Sequence, residues 1–140
     1  MNLIILGILA GLAAAPVWFV MNLFTDFFFM PVIQRNADML NATLLSRPGL
    51  NLLVLAADIT IWSAVFGAGY GLFYPGIAHF GPVGGILWGM FMFIAFSRSM
   101  IESTIWTKVP RAANVFWFVE GLVGLISWGA MLGFVFSRLV

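Results

Sequence analysis

The sequence predicts an all-α membrane protein of four transmembrane helices, built from a duplicated two-helix hairpin. Of its 140 residues, 63% are hydrophobic and 8% are charged, whereas a soluble domain usually has about 25% charged residues. A transmembrane helix needs about 20 mostly apolar residues, and four such runs follow one another along the chain. Two glycine-containing patterns each occur twice, in the same order. The first two observations predict the fold class, and the third predicts the duplication.

The four helices are expected to form a single transmembrane domain over residues 1–140. We expect them at about 3–28, 50–74, 82–106 and 112–136. The first connection, residues 34–49, is the one hydrophilic segment of any length. The second connection, residues 75–81, and the third, about residues 107–111, are short. Helices joined by short connections are usually antiparallel neighbours in a bundle.

Helix 1 carries its small and polar residues on one stripe. The stripe follows i, i+3 and i+4 spacing. Because lipid offers no hydrogen bonds, we expect the stripe to face protein. Its members are Gly7, Gly11, Ala15, Trp18, Asn22 and Asp26.

The basic residues gather at one end of the predicted bundle. Cytoplasmic connections of membrane proteins carry an excess of Lys and Arg. We therefore expect an inner-membrane protein in a lipid bilayer, with connections 1 and 3 in the cytoplasm and both termini outside. The basic residues in or beside those connections are Arg35, Arg47, Arg98, Lys108 and Arg111.

The two halves of the chain, residues 1–77 and 81–140, resemble copies of one hairpin. GILAG in helix 1 is repeated as GILWG in helix 3. DITIWSAVFGAGYG, which begins at Asp58 in helix 2, corresponds to EGLVGLISWGAMLG, which begins at Glu120 in helix 4. Because each copy crosses the membrane twice, both have the same orientation, and a pseudo-twofold axis is expected along the membrane normal.

Each predicted helix has glycines four residues apart, a spacing that lets helix backbones approach closely in a membrane. We expect these glycines to pack the helices together at the end of the bundle that carries the termini. Large aromatic side chains gather toward the other end, which is expected to be wider. The alternative is that the glycines reflect only their general frequency in membrane helices. The glycines concerned are Gly7, Gly11, Gly67, Gly71, Gly81, Gly85, Gly89, Gly129 and Gly133.

Besides Asp26 near the end of helix 1, four charged residues fall within the predicted spans, and we consider them as a candidate cluster: Asp58, Arg98, Glu102 and Glu120. Asp58, Arg98 and Glu120 lie about eight residues from the cytoplasmic ends of their helices, roughly 12 Å deep. Ionisable residues at such a depth mark candidate functional sites. One interpretation is a structural clamp in which Arg98 forks between two carboxylates. The other is a proton or cation relay that opens to the cytoplasm.

On helices 2 and 4, the acidic residue and the first glycine of the packing motif lie on opposite faces of the helix. At about 100° per residue, Asp58 lies opposite Gly67 on helix 2, and Glu120 has the same relation to Gly129 on helix 4. A single four-helix bundle buries only one face of each helix. We therefore expect both faces to need protein contacts, from further copies of this chain or from other membrane subunits.

The sequence offers no catalytic or cofactor chemistry. It has no cysteine and a single histidine, which excludes disulfides, thiolate metal sites and bis-histidine haem ligation. It contains no phosphate-binding loop, nucleophile elbow or metalloprotease motif. Its six basic residues form no patch for nucleic acid. We therefore expect no enzyme activity, no catalytic residue, no metal site, no cofactor and no nucleic-acid partner.

Three features resemble small bacterial inner-membrane proteins of four helices that are grouped as a domain of unknown function. They are the opening G-x-x-A-G-L-x-A at Gly7, the short connection before helix 3 and the closing G-x-x-x-G-F-V-F at Gly129. The resemblance is spread over the chain. It implies the four-helix fold and no assigned activity.

We consider two functions. The first is a structural or accessory subunit of a larger membrane complex of respiratory, oxidase or photosynthetic type, whose aromatic surfaces contact lipid, quinone or pigment. The alternative is a small homo-oligomeric channel or proton-coupled transporter that uses Asp58, Arg98 and Glu120. The first function is favoured because both the acid-bearing and the glycine-bearing faces of the helices need protein contacts. The second is favoured by the ionisable residues within the membrane-spanning segments.

Overall fold

The computed structural model of the chain has four α-helices: α1 (Leu3–Gln34), α2 (Pro48–Ile77), α3 (Pro82–Trp106) and α4 (Arg111–Leu139). The predicted all-α architecture is confirmed. Helix α3 has the predicted bounds, and the other three are longer than predicted. The structure describes the backbone of residues 2–35, 48–77, 81–106 and 111–140, and the side chains of these residues other than 32–34, 48–51, 77, 98–106 and 111–113.

Three of the helices are long and apolar enough to cross a membrane. The candidate spans are Leu3–Pro31 in α1, Leu52–Gly76 in α2 and Asn114–Leu139 in α4. In α3, the apolar segment among the described residues is the shorter Pro82–Ser97. Between 22% and 33% of the most apolar part of each span is buried inside the chain. Most of the apolar surface therefore faces outward, as it does in helices that contact lipid.

The helices are arranged as an antiparallel ring with one weak contact. Helix α1 packs closely on both α2 and α4, and α4 packs closely on α3, whereas the backbones of α2 and α3 have few contacts. At the α1/α4 contact, Nε1 of Trp128 donates a 3.3 Å hydrogen bond to the carbonyl of Gly11. At the α2/α3 contact, Nε1 of Trp88 donates a 3.1 Å hydrogen bond to the carbonyl of Phe66. We call the α1/α4 contact the closed seam and the α2/α3 contact the open seam.

The hydrophobic core lies along the centre of this ring. Trp128 is fully buried there, with its ring centroid 5.9 Å from that of Trp18 and 6.0 Å from that of Phe66. Small residues of α1 share this core with large residues of the other helices. The buried members are Leu6, Ala10, Ala14, Phe66, Tyr70, Trp88, Phe93, Leu125, Trp128, Leu132 and Phe136.

Glycines bring α1 against α2, and α3 against α4, with backbone in contact with backbone. A Cβ on Gly7 would collide with the carbonyl oxygen of Gly67, and a Cβ on Gly85 would collide with that of Gly129. These close approaches lie at the end of the bundle that holds both termini. Gly81 has a φ of 47° in the turn before α3, a conformation that favours glycine. A Cβ would likewise meet backbone atoms of the facing helix or turn at Gly11, Gly67, Gly71, Gly89, Gly129 and Gly133.

Candidate functional site

The structure places the two acids of the predicted charge cluster in different surroundings. Asp58 on α2 is exposed on the outside of the bundle, whereas Glu120 on α4 is half-buried. Arg98 and Glu102 belong to α3, but they lie outside the residues whose side chains the structure describes. A cluster of all four residues therefore stays a prediction.

Asp58 borders an aromatic cavity of about 240 Å³ at the open seam. Two of the rings around it pack against Phe66, with centroid distances of 5.2 Å to Trp62 and 5.1 Å to Phe96. The cavity lies away from the glycine contacts, toward the end of the bundle that carries connections 1 and 3, so the bundle is wider there. Its lining residues are Trp18, Asp58, Trp62, Phe66, Phe93, Phe96, Ser97, Gly121 and Leu125.

A second pair of acids lies at the closed seam. Gly124 of α4 packs against Asn22 of α1. Asp26 follows Asn22 by four residues and Glu120 precedes Gly124 by four residues, so the antiparallel helices bring Asp26 opposite Glu120. Both side chains are half-buried at this seam.

Asn22 lies one helical turn from this acidic pair and is itself buried. Its side chain is 7% exposed, and its Oδ1 has no hydrogen-bond partner among the described residues. Oδ1 lies 2.8 Å from the position that a Cβ on Gly124 would occupy, so it points across the seam to α4. Buried acceptors nearly always have a partner, so this oxygen is an exception among the described residues.

Aromatic rings close the site on the side nearer the bundle centre. The ring of Trp18 lies beside Gly124, where the nearest ring atom is 2.7 Å from the position of a Cβ. Trp18 stacks on Phe66 with a centroid distance of 6.1 Å and an interplanar angle of 17°. The polar groups of the closed seam are therefore separated from the glycine-packed end by a layer of rings that also includes Trp128.

Other buried polar groups occur in the same part of the bundle. The hydroxyl of Ser63 and the amide of Asn114 have no hydrogen-bond partner in the described part of the chain. Thr25 is buried and donates a 2.8 Å hydrogen bond to the carbonyl of Met21. Among the residues whose side chains are described, no three His, Cys, Asp or Glu residues are grouped as they would be to hold a metal ion.

The pairing of Asp26 with Glu120 was missed by reasoning from the sequence. The signal that could have found it is the polar stripe of helix 1, on which Asp26 follows Asn22 at helical spacing. The members of that stripe are all buried or half-buried. The stripe showed that Asp26 faces protein, but it did not show which helix the residue faces.

The glycine-bearing faces of the helices pack against other helices of the same chain. Gly67 and Gly129 were expected to need partners if the acids faced inward, yet both contact the neighbouring helix of their own hairpin. Of the two acids, Asp58 on α2 is the one with an exposed side chain. Glu120 does not share this exposure because α4 packs on α1.

Comparison of the chain with protein-family models, with curated proteins and with solved structures finds no match.

Proposed function

We propose that the protein is an integral membrane accessory subunit that binds another membrane protein through the outer face of α2. The observation that carries this proposal is the exposure of Asp58 inside a candidate span, in a chain whose glycine faces are already packed. The same face presents large apolar side chains, including Val54, Ile61 and Val65. It combines a broad apolar surface with one carboxylate.

Burial in lipid makes an unpaired Asp58 costly. The residue lies six positions inside the span Leu52–Gly76, which corresponds to roughly 9 Å along a helix. An Asp at the centre of a membrane helix costs about 2.5–3.5 kcal/mol, and the cost falls toward the surface. A basic side chain on a transmembrane helix of the partner would offset this cost, and an Arg would do so with two hydrogen bonds.

The test is purification of the full chain in mild detergent, followed by native mass spectrometry of the intact assembly. We expect the wild-type chain to co-purify with a second membrane protein. The Asp58→Asn variant should be purified without that protein. Glu120→Gln is the matched control, since it removes the other helix acid with the same isosteric change. We expect the control to retain the partner, because Glu120 is turned toward α1 and not toward the outer surface.

Two further results bear on this proposal. A reciprocal exchange of Asp58 with the basic residue of the partner should restore the association. Identical assemblies from the wild type and Asp58→Asn, or a single unassociated copy of the wild type, would contradict the proposal. An assembly that contains only copies of this chain would replace the accessory role with a homo-oligomer.

We also propose an inner-membrane topology with connections 1 and 3 in the cytoplasm. The proposal is supported by the concentration of basic residues in those connections. Because the chain has no cysteine, single substitutions such as Asn2→Cys and Ala42→Cys report topology directly. An impermeant maleimide applied to intact spheroplasts should label the first and not the second.

We propose that the chain arose by duplication of a two-helix hairpin. The proposal is supported by corresponding glycine contacts: Gly7 against Gly67 in the first hairpin, and Gly85 against Gly129 in the second. A chain made of two identical first hairpins should then insert as a four-helix protein, and its failure to insert would count against the duplication.

The alternative is a channel or proton-coupled transporter that uses Asp58, Arg98 and Glu120. It is favoured by the unpartnered polar groups at the closed seam. It is opposed by the close backbone contacts at the end that holds the termini, which leave little room for a polar route. Proton flux into liposomes should fall in Asp58→Asn and Glu120→Gln if this function is correct, and it should be absent from the wild type if the accessory role is correct.

A further inference from the structure

The closed seam holds three oxygen-bearing side chains within about one helical turn of one another, between α1 and α4. Asn22 and Asp26 lie one turn apart on α1, and Glu120 lies one turn from Gly124 on α4. Gly124 has no side chain, and this leaves the Oδ1 of Asn22 facing α4 without a partner among the described residues. None of these three side chains lines the aromatic cavity at Asp58.

The charge of this site is not balanced by the basic side chains that the structure describes. These are Arg35 and Arg138, both exposed. Arg35 follows Asp26 by nine residues, just beyond the end of α1 at Gln34, and nine residues of helix rise roughly 13.5 Å. Arg138 lies over the ring of Phe134 near the far end of α4. Among the described residues, two half-buried carboxyl groups and an unpartnered amide oxygen therefore lie at the closed seam without a described basic side chain beside them.

We propose that Asn22, Asp26 and Glu120 bind a hard metal cation between α1 and α4. Carboxylate and amide oxygens are the ligands that hard cations such as Na⁺, Mg²⁺ and Ca²⁺ prefer. The cation would satisfy the Oδ1 of Asn22 and neutralise the two carboxylates at once. Water would complete the coordination from the side of connections 1 and 3, since Trp18, Phe66 and Trp128 close the opposite side.

This site depends neither on the contact face of α2 nor on a partner protein. Its residues belong to α1 and α4 of one chain, and Asp58 is not among them. Loss of the cation site and loss of the α2 partner therefore appear in different variants. A cation held here would tie the first and last helices together and would stabilise the closed seam.

The test is thermal unfolding of the purified full chain in detergent, followed by circular dichroism. The salts are NaCl, MgCl₂ and CaCl₂, each compared with choline chloride at equal ionic strength, which cancels general screening. A ligand that binds only the folded protein raises the unfolding temperature as its concentration rises. We expect a concentration-dependent rise with at least one of the three metal cations, and heat of binding for the same cation by titration calorimetry.

The variants separate a ligand site from an ordinary structural role. Glu120→Gln and Asn22→Leu should both lose the cation-dependent rise, whereas Asp58→Asn should keep it. Asn22→Leu removes a buried oxygen that has no partner in the described part of the chain, so its unfolding temperature in choline chloride should be unchanged or higher than that of the wild type. A general loss of stability would not give this combination. If Glu120→Gln fails to fold, Asn22→Leu alone decides the question.

Three results would overturn the proposal. The first is equal unfolding temperatures in all four salts. The second is a cation-dependent rise that persists in Asn22→Leu. The third is a wild type that is stabilised by acid and by none of the metal cations, which would show that the carboxyl groups share a proton instead.

Discussion

The closed seam and the open seam join similar helices in different ways. At the closed seam, α1 contributes the fully buried Ala10 and Ala14, and the backbones of α1 and α4 come close together. At the open seam, Trp88 stands between α3 and α2, with its ring 6.2 Å from that of Tyr70. Small residues allow membrane helices to approach, and large ones hold them apart. The seam across which Trp88 packs on Gly69 is therefore the one that contains the aromatic cavity.

This difference explains why two acids at corresponding positions have different surroundings. Under the proposed duplication, Ala10 of α1 corresponds to Trp88 of α3, because each precedes the second glycine of its motif. The small residue closes one seam and brings Glu120 against α1. The large residue keeps the other seam open and leaves Asp58 exposed. We therefore expect the size of the residue at this position on each odd-numbered helix to influence how closely the neighbouring acid-bearing helix approaches.

The largest effect is expected when the central tryptophan of each seam is removed. We expect Trp128→Ala to lower the free energy of unfolding by about 3–5 kcal/mol, the usual cost of removing a buried large aromatic residue. Trp88→Ala should cost less, since α2 and α3 are free to move together over the space that is left. Steric trapping or denaturant unfolding in detergent measures both values.

Trp62→Ala is the control for this comparison, because Trp62 is partly exposed, at 36%. Its effect should be smaller than either of the other two. Equal losses in Trp128→Ala and Trp88→Ala would show that the two seams are equally rigid, and the distinction between them would fail.

An intermediate effect is expected when the closed seam is overfilled. Ala10 has 0% exposure, so Ala10→Leu should force α1 away from α4 and cost about 1–3 kcal/mol. Ala13 lies on the exposed side of the same helix, and Ala13→Leu should change the free energy of unfolding by no more than about 0.5 kcal/mol. A tolerated Ala10→Leu, measured by the same unfolding assay, would show that the closed seam is not tightly packed.

The sequence predicts four helices and a glycine-bearing packing face on each, but it does not identify which helix packs on which face. The four apolar runs predict four helices, and the spacing of Gly7 and Gly11 marks the side of α1 that packs on a neighbour. The hydrogen bond from Trp128 to Gly11, by contrast, joins residues 117 positions apart. No periodic pattern specifies such a contact, because helical periodicity gives the face of a helix and not the identity of the helix opposite.

The same reasoning accounts for the candidate site. Asp58 and Glu120 were recognised as charges within apolar runs, and the position of Asp26 on a protein-facing stripe was recognised as well. Their partners depend on which seam closes, and that choice is set by the volumes of side chains such as Ala10 and Trp88. Volume differences of this kind become informative only when the two helices are already aligned in space.

The smallest effect is expected from filling the cavity at the open seam. Leu125 lines that cavity, so Leu125→Phe should add contacts there and raise the free energy of unfolding by about 0.5–2 kcal/mol or leave it unchanged. Leu132 lies seven residues further along the same helix and has 0% exposure. Leu132→Phe makes the same change where no space is available and should lower the free energy of unfolding by about 1–3 kcal/mol. If Leu125→Phe raises the free energy of unfolding and Leu132→Phe lowers it, the free space on this side of α4 lies at the open seam. If both variants lower the free energy of unfolding, the cavity is closed in the membrane.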